Sequence, residues 1–200
     1  MNNSDNHSGN KTNYKVYQNE KFEYQDENSS SDTILNLEYR SNKNTTITNE
    51  FKENVVSVYD VASYILSKID GNVCTTMKLH KLLYYCQSWS MVWCEKPTFT
   101  QKIEAWANGP VIRDFFYFHK GFYSIHYNDL SLGNENLLSQ EQKNVIDDVL
   151  EFYGDKKPQW LIELTHSEDP WITARKGLLP NESGNKEITL ESMQQYYSSL

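Results

Sequence analysis

The stretch TMKLHKLLYYCQSWSMVWC, Thr76 to Cys94, decides the fold. At 3.6 residues per turn, Leu79, Leu82, Leu83, Cys86, Ser90 and Trp93 fall on one stripe. Tyr84 and Met91 flank that stripe on one side, Tyr85 and Trp89 on the other. Only Lys81 and Ser88 mark a polar pole. A helix that is apolar nearly all round must be covered on most of its faces, which places it in the middle of a bundle. Lys96-Pro97 ends it, because proline has no N–H to continue the ladder.

Upstream, Val58, Val61, Ala62, Ile65, Leu66 and Ile69 follow the i, i+3, i+4, i+7 template of a second helix. Ser57 with Asp60 makes a capping box for its start, and Gly71 supplies the stop. Downstream, Phe99 to Asn108 reads as an extended crossing. Gly109 is a hinge, and Pro110 takes the first position of a short aromatic helix from Val111 to Lys120. Phe122 to Tyr127 alternates weakly. Ser139 with Gln142 opens a helix that runs to Tyr153 and stops at Gly154. Pro158 begins the next, which closes at His166. Asp169 caps a short helix that ends near Lys176, and Thr189 caps a last one that ends near Ser199. The expectation is a mainly α, compact single helical-bundle domain over residues 55–200.

Residues 1–54 differ in composition. They are rich in asparagine, serine and threonine and poor in aliphatics, so they bury too little apolar area to offset chain entropy. Tyr14/Val16, Phe22/Tyr24 and Leu35/Leu37/Tyr39 nevertheless alternate as strands do. The extension is therefore either disordered or a small β-appendage.

The net charge of −8 argues against a surface that neutralises phosphates, so direct nucleic-acid binding is not expected, whereas basic partners are attracted. Three cysteines, Cys74, Cys86 and Cys94, show no zinc spacing and no disulfide framework. No signal-peptide pattern and no apolar run long enough to span a bilayer occur, so the chain reads as cytoplasmic, without membrane insertion.

Three segments together carry a resemblance: MKLHKLLYYCQSW (Met77–Trp89), IEAWANGPV (Ile103–Val111) and LTHSEDPW (Leu164–Trp171). In order and spacing they resemble the Panacea domain family, which includes SocA-like antitoxins and phage-associated GepA proteins. His80 stands where the family more often has glutamine. Arg113 and Phe116 stand where proline and tyrosine are expected after the G-P-V. The resemblance implies an α-helical antitoxin that neutralises a cognate protein toxin, encoded beside it, by direct stoichiometric binding. Two alternatives accompany it. One is a proteolytic adaptor that delivers a client to a protease; the other is a phage-associated enzyme or regulator. No cofactor and no metal are implied.

Each candidate site has a plainer structural reading. Lys78 and Lys81 with Tyr84 face either a partner or, as solvated lysines beside a core-rim tyrosine, nothing specific. Asn108-Gly109-Pro110-Val111 is either a binding loop or a corner, glycine making the turn and proline starting the helix. His166, Glu168 and Asp169 are the residue types of acid–base or metal chemistry, but an N-cap and a helix-end histidine explain them equally. No G-x-S-x-G elbow is present, so catalysis is not expected. Phe115 to Phe118 cannot all point into one core from one short helix, so part of that run lies either at a core rim or at an interface. The residues assigned to partner binding are Lys78, Lys81, Tyr84, Trp106, Asn108, Gly109, Pro110, Phe116, Tyr117, His166 and Trp171.

Overall fold

The structure is a computed structural model and describes residues 56–200. The expected N-terminal extension lies outside the described residues. Helix α1 (Val58–Lys68) is followed by strand β1 (Val73–Thr75) and the long helix α2 (Thr76–Trp93). Strands β2 (Ile103–Trp106) and β3 (Gly109–Ile112) lead into α3 (Arg113–Phe118) and β4 (Ser124–His126). The rest is α4 (Gln140–Tyr153), α5 (Pro158–His166), α6 (Asp169–Ala174), β5 (Glu187–Ile188) and α7 (Leu190–Tyr197). The fold is mainly α, as expected, with two small antiparallel sheets among the described residues. Strand β1 pairs with β4, and β2 lies between β3 and β5.

Helix α2 is the hub. It packs against α1, α4, α5 and α7 and against β3. Thr75 caps it, its side chain accepting from the Lys78 N–H. Leu79, Leu82, Leu83 and Cys86 are fully buried, as the stripe requires. At α1, Asp60 Oδ2 accepts from the Ser57 N–H at 2.8 Å, while Oδ1 accepts from the Asn134 N–H at 2.7 Å. One buried carboxylate thus caps a helix and anchors a distant loop. Ser139 and Gln142 form their reciprocal box at the start of α4. No helix among the described residues is long and apolar enough to cross a membrane.

Several expectations are corrected. Lys81 and Ser88 do not form a solvated pole; both are fully buried, because β3 and the following helices close over that face of α2. Tyr84 and Tyr85 lie in the core rather than at its rim, and Trp93, assigned to the core stripe, is half exposed. Pro110 does not start a helix. It sits in β3 opposite Ala105, and the helix begins only at Arg113. Gly109 is the closing residue of a hairpin, paired with Trp106 at φ +97°, a conformation glycine adopts without steric cost. The N-cap position of α6 is Glu168, with Asp169 already inside the helix.

Candidate functional site

The β2–β3 hairpin is clamped onto α2 by a lysine. A Cβ at Gly109 would lie 2.6 Å from Lys81 Cε and 3.0 Å from both Lys81 Nζ and Thr165 Oγ1. Glycine therefore lets the hairpin backbone settle onto the lysine stem. The Lys81 ammonium donates to the Pro110 carbonyl at 3.0 Å and reaches Met77 Sδ at 3.7 Å. Burial lowers its pKa from 10.5 to about 7.

Beside the clamp stands an aromatic wall. His166, the last residue of α5, stacks on Trp171 of α6 with ring centroids 4.0 Å apart and planes 14° apart. Trp171 Nε1–H donates to the Trp106 carbonyl at 2.9 Å. Arg175 lies over the Trp171 ring and donates through Nη1 to the Ala105 carbonyl at 3.0 Å. The α5–α6 corner therefore grips the hairpin by its backbone. Trp106 meets Phe116 edge-on at 4.8 Å, joining α3 to the wall. His166 Nε2 is buried and makes no hydrogen bond. Burial, then the charges of Lys81 and Arg175, push its pKa down, so the helix-end imidazole is held neutral rather than drawn upon as a dipole-stabilised cation.

A second histidine pair lies behind the hairpin. The Ile112 N–H donates to His80 Nδ1 at 3.2 Å, so neutral His80 carries its proton on Nε2. That proton points at His119 Nε2, 2.9 Å away. Burial, foremost, holds both imidazoles below their usual range; for His80 the neighbouring His119 and Lys81 add to it. Past the α5–α6 corner, Glu168 accepts from Tyr197 at 2.7 Å and from Tyr85 at 3.3 Å. Burial raises its carboxyl to about 7 against the opposing pull of those two hydroxyls.

The fold brings together seven of the residues assigned to partner binding: Lys81, Trp106, Gly109, Pro110, Phe116, His166 and Trp171. Asn108 is exposed at the hairpin tip, and Tyr117 is exposed beside Phe116. Lys78 is elsewhere, donating to the Gly154 carbonyl at 2.6 Å. Tyr84 is interior, packed on Tyr85 and Tyr197. Lys81 and Tyr84 are therefore supports of the site and not contacts on its surface. Sequence reading missed Thr165, Arg175 and His119. Arg175 follows Trp171 by one helical turn, the spacing of a cation over a ring, and this was the available signal. A cavity of about 250 Å³ lined by Phe99, Ile103, Ile188 and Met193 touches none of these residues.

Chemically, the arrangement sets three bases, Lys81, His166 and Arg175, beside aromatic rings. Among the described residues no carboxylate hydrogen-bonds His166, so no acid–base pair is assembled there. The fold and site define a helical domain built round a clamped hairpin. Residues 79–172 match the family described as antitoxin SocA-like, Panacea domain. The matched span runs from Leu79 to Ile172 and so takes in Lys81, the hairpin and Trp171. No curated protein and no solved structure is significantly similar to the chain.

Proposed function

We propose that the chain is an antitoxin that acts without catalysis, neutralising a cognate protein toxin by direct stoichiometric binding. The observation that carries this reading is the antitoxin SocA-like match, which coincides with the clamped hairpin and its aromatic wall. The geometry supports recognition. Asn108, Tyr117 and Ile172 are exposed around a rigid base, and Lys81, Thr165 and Arg175 are spent on fixing backbone. A surface held in its bound form before encounter loses little entropy on association. The toxin is the product of an adjacent reading frame, and the encounter takes place in the cytoplasm.

The test is co-expression. The neighbouring reading frame is expressed alone and with this chain, and growth and co-purification are followed. Relief of toxicity together with a stable complex is the expected result. A neighbour that is harmless, or whose toxicity is unrelieved, refutes the reading for that pair. Relief accompanied by protease-dependent loss of the toxin moves the mechanism to an adaptor.

A further inference from the structure

A connected run of aromatic rings crosses the ends of three helices away from the hairpin site. Trp93 stacks on Trp89 at the end of α2, with centroids 4.9 Å apart. Trp89 Nε1–H donates to the Tyr153 hydroxyl, and Tyr153 packs against Phe152 at the end of α4. The Lys156 ammonium lies 5.8 Å from the Phe152 centroid and 6.0 Å from that of Trp160 on α5. Trp93 is 49% exposed, Phe152 60% and Trp160 39%. Three large rings on one ridge are the anchors that interfaces use, and a folded chain gains nothing by leaving them in water.

The charges around the ridge say what covers it. Asp148 precedes Phe152 by one turn, Glu151 adjoins it, Asp155 follows, and Glu163 lies one turn beyond Trp160. All four carboxylates are exposed, against Lys156 and Lys157 in the same stretch and Lys78, whose ammonium donates to the Gly154 carbonyl beside Asp155. Lys156 already occupies the ring faces, tethered in cis and paired with its sequence neighbour Asp155. It shows the chemistry the rings accept: a cation over an aromatic face with a carboxylate beside it. We propose that this ridge is a docking surface for a basic amphipathic segment of a protein partner, in which arginine or lysine alternates with apolar anchors. The segment's cations displace Lys156 from the rings and meet the carboxylate rim, while its apolar residues cover Trp93 and Phe152. The inference deepens the direct-binding reading by naming the partner's chemistry, and its first test needs no toxin.

Full-length protein is titrated with three probes: a synthetic helical peptide of arginines and leucines, the same peptide with glutamate for arginine, and anionic phospholipid vesicles. Tryptophan fluorescence and calorimetry follow binding. Only the arginine peptide is expected to bind. The Phe152→Ser/Trp160→Ser double variant should weaken it about tenfold or more with thermal melting little changed, since both rings are exposed. Lys156→Gln should tighten it about threefold by vacating the rings. Binding of both peptides alike, binding to vesicles alone, or an undiminished affinity in the double variant overturns the proposal. With the neighbouring toxin in hand, a complex indifferent to the double variant sinks this inference and leaves the antitoxin reading standing. Peptide binding without any toxin complex does the reverse.

Discussion

Replacing Lys81 with methionine should make the domain more stable while removing the hairpin's anchor. Lys81 is fully buried, and burial alone brings its ammonium from 10.5 to about 7. At roughly 1.4 kcal/mol per pH unit, the charged lysine costs about 4 kcal/mol of folding free energy at pH 7. Methionine removes that cost but leaves the Pro110 carbonyl without its donor, a loss of about 1–3 kcal/mol. The net gain is about 1–3 kcal/mol. The sign with pH follows from linkage. Between 7 and 10.5 the unfolded chain binds the extra proton, so wild-type stability rises with pH across that window. Over pH 7 to 8, where most unfolded cysteines are still thiols, the rise attributable to Lys81 is about 1 kcal/mol. Urea denaturation at closely spaced pH values measures both quantities. The Lys81→Met variant should be stabilised at pH 7 and lack that rise. A variant destabilised at pH 7, or one that keeps the wild-type rise, would refute the assignment of a buried ammonium held by a carbonyl and not by a carboxylate.

Other outcomes follow from the same geometry. Gly109→Ala places a Cβ 2.6 Å from Lys81 Cε at a positive φ, and should cost about 2–4 kcal/mol in thermal unfolding. His119→Ala strands the Nε2–H of His80 in the interior and should cost about 1–3 kcal/mol, read by the urea midpoint. Because both imidazoles are held below their usual range, the unfolded chain takes up protons first. The pair's contribution to stability should therefore fall as pH drops below 6.5, and a variant with phenylalanine at both positions should lack that contribution when compared with wild type at each pH. Glu168 runs the other way. Its carboxyl, raised from 4.5 to about 7, favours folding below 4.5, and that contribution of roughly 3 kcal/mol is lost as pH rises to 7. A Glu168→Gln variant should lack that loss, measured against wild type at each pH.

The helices were legible because their signals are local. Ser57 with Asp60 and Ser139 with Gln142 mark starts that depend only on residues three apart, and the α2 stripe is a single period read over five turns. The hairpin was not legible. Its strands are four residues each, too short for alternation to show, and proline in β3 imitates a helix start. The same omission hid the burial of Lys81. On the helix alone it lies opposite the apolar stripe, and the hairpin arriving from 28 residues downstream at Gly109, with Thr165 of α5 beside it, removes it from water. Six of the residues that the fold brings together, Lys81, Trp106, Gly109, Pro110, His166 and Trp171, lie in the three quoted segments, and Phe116 follows the second of them. The His80–His119 pair was missed because its members lie 39 residues apart with no shared pattern.

The imidazole pair makes the domain its own reporter. The His80 ring bridges β3, through the Ile112 N–H, and His119, which directly follows α3. Its Nε2 proton faces His119 in the interior. Ring protons of surface histidines trade with water too fast to be seen, so a slowly exchanging imidazole N–H resonance that His119→Ala abolishes would come from this pair. Its lifetime would time the opening of the chain behind the hairpin, with no label attached.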